Sequence, residues 1–252
     1  MASPLHLVKV PLRPERLITI ARQRGFPVRE VDEGYLAHVV LRELWQEGAP
    51  APFVLRESAR CVDVWGYSSW DAARLIDHAI SFGDPSLIAS VAEIGAIASR
   101  PMPNFEAGRR LGFEVRACPV VRLASGRSGH GRGAEIDAFL ARSFAAGDGY
   151  VSREDVYRDW FMRNLAPATK SGVTVVRVEV RGVSRVRLLR RTHGEARTSS
   201  RIERPDVRFV GEVIVADGGR LLEYIAHGVG RHRAFGFGAL MLVAPGAGSS
   251  AT

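Results

Sequence analysis

Residues 207–245 read VRFVGEVIVADGGRLLEYIAHGVGRHRAFGFGALMLVAP, and the order of their patterns decides the predicted fold. Apolar and polar side chains alternate over 207–217, which predicts a strand. Residues 219–227 carry apolar side chains at helical spacing. The apolar run 239–244 stops before a proline and predicts a buried strand. A glycine-rich loop therefore runs from a helix to a strand.

That loop contains two G-x-G pairs with Arg231, His232 and Arg233 between them. Gly228 is predicted to end the preceding helix in the left-handed conformation. A glycine-rich dinucleotide fingerprint leaves a strand and opens a helix. Here the order is reversed and the spacing differs, so a dinucleotide site is not predicted. A tight turn and a close approach of the backbone to a ligand both remain open, because glycine permits both.

The composition favours an anionic partner. The chain has 252 residues, 46% of them hydrophobic, and a formal net charge of +8. Lys9 and Lys170 are its lysines, so the basicity is almost entirely arginine, whose planar fork pairs with phosphate and stacks on bases. GC-rich coding is an alternative source of the arginine preference, although it does not explain the net charge. Nucleic acid is the leading predicted partner.

Other site classes receive little support. Cys61 and Cys118 lie far apart without a C-x-x-C motif, so neither a zinc site nor a redox pair is predicted. The sequence has neither a signal-peptide pattern nor an apolar run of membrane-spanning length. We expect a cytoplasmic protein with reduced thiols, no membrane contact, no metal and no small-molecule cofactor.

Both halves of the chain can be written β-α-β-β-α-β. In the first half, strands are predicted at 4–12, 52–57 and 60–66 and helices at 14–24, 34–47 and 69–82, with Ser69 as the N-cap of the last helix and 84–104 unassigned. In the second half, strands are predicted at 109–123, 172–182, 207–217 and 239–244 and helices at 134–146 and 219–227.

This repetition predicts an α+β protein of two tandem ferredoxin-like domains with antiparallel sheets. The predicted domains are 1–104 and 109–252, divided at the breaker-rich segment near 101–104. The RNA-recognition motif shares this arrangement and binds single-stranded RNA on its sheet. Its usual aromatic signature is missing, so an ordinary RNA-recognition motif is not predicted.

Two segments between the predicted elements are strongly basic. Residues 183–204 form a predicted hairpin with acids only at Glu195 and Glu203, a tip near 193–195, and arginines at 185, 187, 190, 191, 197, 201 and 204. Such a hairpin suits a nucleic-acid groove, and each neutralised phosphate would steepen the salt dependence of binding. A mobile, solvated loop is the alternative. The glycine-rich stretch 122–133 is also basic and is either a linker or a segment that orders on RNA.

Helix 34–47 carries the residues that suggest chemistry. Leu36, Val40 and Leu44 fall on one stripe, which is predicted to face the core. Tyr35, His38 and Arg42 fall on another stripe. Histidine exchanges protons near neutral pH, arginine stabilises a charged phosphorane and tyrosine orients groups, so these are components for metal-free RNA transesterification. A solvated helix surface is the ordinary alternative.

Four segments resemble the CRISPR repeat-processing endoribonucleases of type I-E systems, the CasE subunit family of Cascade. Residues 207–245 resemble the family's C-terminal signature, and GRRLGFEVRACPVVR (108–122) resembles the entry to its second domain. GYLAHVVLRELW (34–45) resembles its Y-x-x-H helix. Arg190 and Arg191 fall where the family's hairpin carries an arginine pair.

The resemblance implies an enzyme that binds the stem-loop of the CRISPR repeat in precursor RNA and cuts at the 3′ base of the stem. The 2′-hydroxyl attacks the adjacent phosphate without metal, giving a 2′,3′-cyclic phosphate, and the enzyme stays bound as a Cascade subunit. Tyr35 and His38 fall on the positions that the family uses for catalysis, and His38 is either the base for the 2′-hydroxyl or the acid for the 5′-oxygen. Arg42 is the basic residue that we expect to stabilise the transition state. The expected RNA contacts are Arg185, Arg187, Arg190, Arg191, Arg197, Arg201, Gly228, Gly230, Arg231 and Arg233.

Two other functions stay open. A non-catalytic subunit of a CRISPR effector complex would hold RNA without cutting it. A metal-dependent nuclease has less support, because Asp71, Asp77 and His78 fit an ordinary amphipathic helix better than a metal site.

Overall fold

The computed structural model describes residues 4–27, 31–126, 129–191 and 199–246, with the backbone alone at 189–191 and 199–201. The predicted hairpin tip at 193–195 and Arg197 lie outside the described residues, as does Arg127 of the basic stretch 122–133. In the part of the chain that is described, no helix is long and apolar enough to cross a membrane.

The first half of the chain forms a four-stranded antiparallel sheet in the order β2-β3-β1-β4. Its strands are β1 (His6–Leu12), β2 (Phe53–Glu57), β3 (Val62–Ser68) and β4 (Ala98–Pro101). The helices are α1 (Pro14–Gln23), α2 (Glu33–Trp45), α3 (Ala72–Phe82) and the short α4 (Pro85–Ile88). Val8, Val10, Trp45 and Phe53 are fully buried in the core of this half.

The second half forms another four-stranded antiparallel sheet, in the order β10-β5-β9-β8. Its strands are β5 (Arg110–Ala117), β8 (Val173–Arg191), β9 (Ser199–Val215) and β10 (Met241–Val243), and a separate two-stranded sheet pairs β6 (Val120–Arg122) with β7 (Glu135–Asp137). The helices are α5 (Ala138–Ala146), α6 (Arg153–Leu165), α7 (Ala168–Ser171) and α8 (Gly218–His227). Stacked rings of Phe113, Phe161 and Phe209 form the centre of its core.

Each large sheet places the first strand of its half beside the third, with the fourth and second strands at the edges. This order, with the β-α-β-β-α-β succession, defines the ferredoxin-like fold. The predicted α+β architecture of tandem ferredoxin-like domains is confirmed. The buried Tyr67 hydroxyl of the first half donates a 2.7 Å hydrogen bond to the carbonyl of Leu240 in the second half. The boundary at 101–104 stays a prediction.

Several sequence-based assignments were wrong in detail. Asp71, not Ser69, caps α3, and its carboxylate accepts a hydrogen bond from the Arg74 amide at 2.9 Å. The run 109–123 is not one strand. It divides after Ala117 at Cys118–Pro119, because proline has no amide hydrogen for the ladder, and its last part joins β7.

The predicted helix 134–146 also begins later than expected. Residues 135–137 form strand β7, and the Asp137 carboxylate caps α5 by accepting from the Phe139 amide at 2.8 Å. No element is predicted for 147–171, yet α6 lies there and buries Tyr157 and Phe161 completely. The predicted strands 172–182 and 207–217 belong to the much longer hairpin β8–β9.

Candidate functional site

The first turn of α2 is fixed in place by a side-chain cap. The Asp32 carboxylate accepts a hydrogen bond from the Tyr35 amide at 3.2 Å, which satisfies one of the unpaired donors at the helix start. Leu36, Val40 and Leu44 are buried, so the predicted core-facing stripe is confirmed. Tyr35 and His38 are half-buried beside that stripe and Arg42 is exposed.

Tyr35 is held between two aromatic rings. The Phe235 ring stacks on it with centroids 5.2 Å apart and an interplanar angle of 23°. The Phe26 ring meets it edge-on at 5.7 Å. Since aromatic pairs favour these two geometries, the Tyr35 ring is fixed from both sides. One partner, Phe235, belongs to the glycine-rich loop of the other half of the chain.

His38 lies one turn along α2, with its ring centroid 6.4 Å from that of Tyr35. Burial, and after it the positive charge of Arg42, lower the pKa of His38 below the ordinary 6.5. The imidazole is therefore mostly neutral at pH 7. A neutral imidazole accepts a proton, which is the property of a general base.

Arg42 points towards the end of its own helix. Its guanidinium Nη1 donates a 2.6 Å hydrogen bond to the carbonyl of Gln46 at the C-terminus of α2. Tyr35 lies two turns away at the opposite end of that helix. The structure therefore places Arg42 near enough to influence the charge of His38, while its hydrogen-bonding atoms serve the helix C-terminus.

The glycine-rich loop has the predicted position between a helix and a strand. Gly228 follows α8 with φ +80° and ψ 166°, so its φ is positive but it is not in the left-handed helical region that the sequence predicted. In this conformation the amide of the next residue, Val229, donates a 2.8 Å hydrogen bond to the Gly238 carbonyl. A Cβ on Gly230 would lie 2.8 Å from the Trp160 ring, so packing against protein also requires these glycines.

The loop then forms a short 3₁₀ turn, Arg233–Phe235, against α2. A Cβ on Gly34 would lie 2.5 Å from the Phe235 carbonyl oxygen. Only a residue without a side chain allows this close an approach of the two backbones. The residues of α2 and those of the glycine-rich loop, far apart in sequence, are brought together by this contact.

A basic cleft opens beside the loop, with a volume of about 630 Å³. Phe235 lines the end of the cleft that adjoins Tyr35. Four arginines line it, namely Arg122, Arg204, Arg231 and Arg233. Among the described lining residues Glu135 is the one acid. A cleft with this surplus of guanidinium groups suits a phosphate backbone.

Glu135 binds three basic side chains around the cleft. Its carboxylate lies 2.5 Å from His232 Nε2, 3.2 Å from an Arg231 nitrogen and 3.3 Å from Arg204 Nε. Partial burial acts to raise the pKa of Glu135. The hydrogen bond and charge of His232 and the charges of Arg204 and Arg231 outweigh it and lower that pKa to about 2. The carboxylate is ionised throughout the neutral range.

The basic hairpin is built from β8 and β9, which pair from the sheet to Arg191 and Ser199 with register shifts at Val176 and Arg181. Leu188, which pairs with Ile202 near the far end of the described hairpin, is buried with Cys118, Val120 and Phe237. Arg185 and Arg187 are exposed, and Arg185 pairs with Glu203 at 3.0 Å. Arg190, Arg191 and Arg201 lie in the described backbone of the hairpin, while their side chains lie outside the described residues.

The predicted loop arginines both have protein partners. Arg231 pairs with Glu135, and Arg233 donates a hydrogen bond to the carbonyl of His227. Phe26, Glu135, His232 and Phe235 were missed as site residues. No local pattern marks them, because each acquires its role through contacts between distant segments.

No group of three or more His, Cys, Asp or Glu residues suited to a metal ion occurs in the described ranges. The carboxylate of Asp71 serves as the N-cap of α3. A ligand set for the metal-dependent alternative is therefore not found among the described residues.

The fold and the cleft together define a tandem ferredoxin-like protein with a cationic cleft in the second half of its chain. The family model for CRISPR associated protein matches residues 5–245. The chain therefore belongs to this CRISPR-associated family. No curated protein sequence matches it.

Solved structures of similar fold carry related descriptions. CRISPR endoribonuclease Cse3 bound to a 19-nucleotide RNA is similar with a TM-score of 0.62 and 20% identity, covering 96% of this chain and 100% of that one. Cse3 of Thermus thermophilus, bound to an RNA representing a pre-cleavage complex, is similar with a TM-score of 0.58 and 18% identity, covering 95% of this chain and 99% of that one. A chain of a CRISPR RNA-guided surveillance complex, pre-nicking, is similar with a TM-score of 0.52 and 19% identity, covering 94% of this chain and 99% of that one. At these identities the likeness establishes the fold.

Replacing Gly34 with alanine is expected to destabilise the protein by about 1–3 kcal/mol, as overpacking does. Alanine is ordinarily the better helix residue by about 1 kcal/mol, but here its Cβ would displace the Phe235 carbonyl. Urea unfolding measures the change. Gly219→Ala is the matched control, because the nearest atom to its Cβ would be 3.4 Å away. Equal stability of Gly34→Ala and the parent protein would contradict the close contact of α2 with the loop.

Proposed function

We propose that this protein is a metal-independent endoribonuclease of CRISPR RNA processing. It binds the repeat stem-loop in precursor RNA, cuts at the 3′ base of the stem, and remains on the product as a Cascade subunit in the cytoplasm. The observation that carries the proposal is the packing of the helix with Tyr35 and His38 against the loop that borders the arginine-lined cleft. Family membership and the likeness to RNA-bound Cse3 structures support it.

In this proposal His38 is the general base. It takes the proton of the ribose 2′-hydroxyl, whose oxygen attacks the adjacent phosphorus. The bond from phosphorus to the 5′-oxygen breaks, leaving a 2′,3′-cyclic phosphate on one fragment and, after protonation, a 5′-hydroxyl on the other. The lowered pKa of His38 supports this assignment, because it keeps the imidazole in its accepting form at neutral pH.

Tyr35 orients the reacting nucleotide. Its ring is immobilised between Phe26 and Phe235, so its hydroxyl offers a hydrogen bond in a fixed direction. Arg42 contributes, after burial, to the lowered pKa of His38 and remains the proposed cation for the transition state. Arg231 and Arg233 in the cleft neutralise phosphates next to the scissile bond.

The hairpin binds the stem in this proposal. Double-stranded RNA is recognised mainly through its shape and phosphates, and the exposed Arg185 and Arg187 begin a line of arginines that continues along β8 and β9. Arg190, Arg191, Arg197 and Arg201 are the other proposed contacts to the stem. Gly228 and Gly230 allow the loop backbone to approach the RNA beside the cleft.

A non-catalytic RNA-holding subunit is the second candidate. One observation favours it: the Arg42 guanidinium is bonded to the Gln46 carbonyl rather than directed at Tyr35. Binding of RNA would need only the cleft and the hairpin. Other subunits of a CRISPR effector complex are the proposed protein partners in both cases.

His38→Ala is expected to slow cleavage by ~10²–10⁴-fold, the usual loss for a general acid or base, while RNA binding is retained. The substrate is a repeat hairpin from the same locus, cleaved under single-turnover conditions in EDTA. His227→Ala, an exposed histidine on α8, is the control and should cleave normally.

A 2′-deoxy nucleotide at the cut site should abolish cleavage by the parent protein, because the nucleophile is removed. Full activity of His38→Ala would overturn its assignment. Tight binding without product would favour the binding subunit, and inhibition by EDTA would favour a metal-dependent nuclease.

The cleavage rate is expected to fall at acid pH with a midpoint below 6.5. A base with a lowered pKa is active above that pKa and is protonated, hence inactive, below it. Arg42→Gln removes a charge that lowers the pKa of His38, so the midpoint should rise. Arg42→Lys retains the charge and should leave it nearly unchanged. A rate that instead falls as pH rises would identify His38 as the general acid.

Arg185→Ala and Arg187→Ala are each expected to weaken RNA binding and to lower the slope of log K against log salt by about 1. The slope counts the phosphates that the protein neutralises. Binding titrations at several salt concentrations measure it. Arg16→Ala, which removes an exposed charge from α1, is the control. An unchanged slope in both hairpin variants would place the stem elsewhere.

A further inference from the structure

Three basic side chains from two separate segments meet at Glu135. Arg204 extends from β9, and Arg231 and His232 extend from the glycine-rich loop. Glu135 itself is the first residue of β7, which β6 pairs in register. The carboxylate is therefore attached to a defined strand, and it ties the start of the loop to that strand.

The loop needs this attachment because its backbone is unfavourable at His232. This residue has φ +62° and ψ 30°, in the left-handed region that favours glycine. The contact of its Nε2 with Glu135 at 2.5 Å compensates for that conformation. From there the Phe235 amide bonds back to the His232 carbonyl at 2.9 Å. One short turn thus connects the Glu135 contact to the ring that stacks on Tyr35.

Glu135 is poorly placed to assist RNA binding directly. Its carboxylate is ionised and lies in a cleft lined by four arginines, where its charge opposes that of a phosphate. It also occupies nitrogen atoms that would otherwise bind phosphate. An acid at this position lowers the positive charge of the cleft, so its contribution must come from the geometry that it maintains.

We propose that Glu135 is a positioning residue of the candidate catalytic centre. By holding Arg231 and His232 it fixes the turn Arg233–Phe235, and through the Phe235 ring it fixes Tyr35 beside His38. The inference rests on the proposed RNA cleavage. In this role Glu135 raises the rate of cleavage through the geometry that it maintains, while its negative charge weakens the binding of RNA.

The test compares Glu135→Gln with Glu223→Gln, which removes the same charge from an exposed position on α8 outside the cleft. With the repeat hairpin at saturating protein, we expect Glu135→Gln to cleave about ten- to a hundredfold more slowly, the effect of losing a hydrogen bond to a charged group. RNA binding should be as tight as in the parent protein or tighter. Glu223→Gln should match the parent in rate.

A rescue variant separates positioning from general damage. Glycine adopts a positive φ without strain, so adding His232→Gly to Glu135→Gln should restore part of the lost rate. A normal rate for Glu135→Gln, or weaker binding with an unchanged rate at saturation, would overturn the proposal. Should Glu135→Gln not fold, His232→Ala removes one of the two loop contacts of Glu135 and leaves its pairing with Arg204 possible. It should also slow cleavage at saturating protein, and a normal rate would overturn the proposal.

Hydrogen exchange tests the positioning without reference to catalysis. The amides of Phe235 and Gly236 bond to the carbonyls of His232 and Arg233, and both should exchange faster in Glu135→Gln while the core of β5 and β9 is unchanged. Unaltered exchange at these amides would overturn the proposal even if the parent protein cleaves RNA. Faster exchange in a protein that cleaves no RNA would instead reject the proposed function and retain the anchoring of the loop.

Discussion

The contact of Phe235 with the first turn of α2 is the constraint on which the candidate site depends. Its carbonyl oxygen lies against Gly34 and its ring stacks on Tyr35. The same ring packs beside the cluster that contains Leu188 of the hairpin. One aromatic residue thus sets the relative positions of the helix with the histidine, the basic cleft and the hairpin.

Arginine has two different roles in this chain. Arg116 forms a double hydrogen bond with Asp206 and lies 4.3 Å over the Phe237 ring, which fixes it in the fold. Arg110 is likewise paired with Glu212. Both pairs link β5 to β9, so these two arginines stabilise the second sheet. Among the described residues that line the cleft, four arginines accompany one carboxylate, that of Glu135, so this region keeps a positive surplus.

The ferredoxin-like arrangement could be predicted because its elements have strong local patterns. Alternation marks β8 and β9, and buried residues four apart mark α2 and α8. The wrong secondary-structure assignments lie where the local pattern is weak, or where pairing with a distant segment determines the element. Residues 135–137 form a strand because β6 pairs with them, a contact that periodicity does not report. The helical spacing of Val156 and Trp160 in α6 was present in the sequence, although polar residues surround it.

The sequence by itself determined the class of fold, the basic character and the shared stripe of Tyr35, His38 and Arg42, because each follows from spacing within a segment. Only the tertiary structure decided which groups surround that stripe. Phe235 follows Tyr35 by two hundred positions, and its stack forms because two sheets place α2 and the glycine-rich loop side by side. The lowered pKa of His38 and the cluster around Glu135 arise in the same way, since burial and charge at short range depend on neighbours that folding alone assembles.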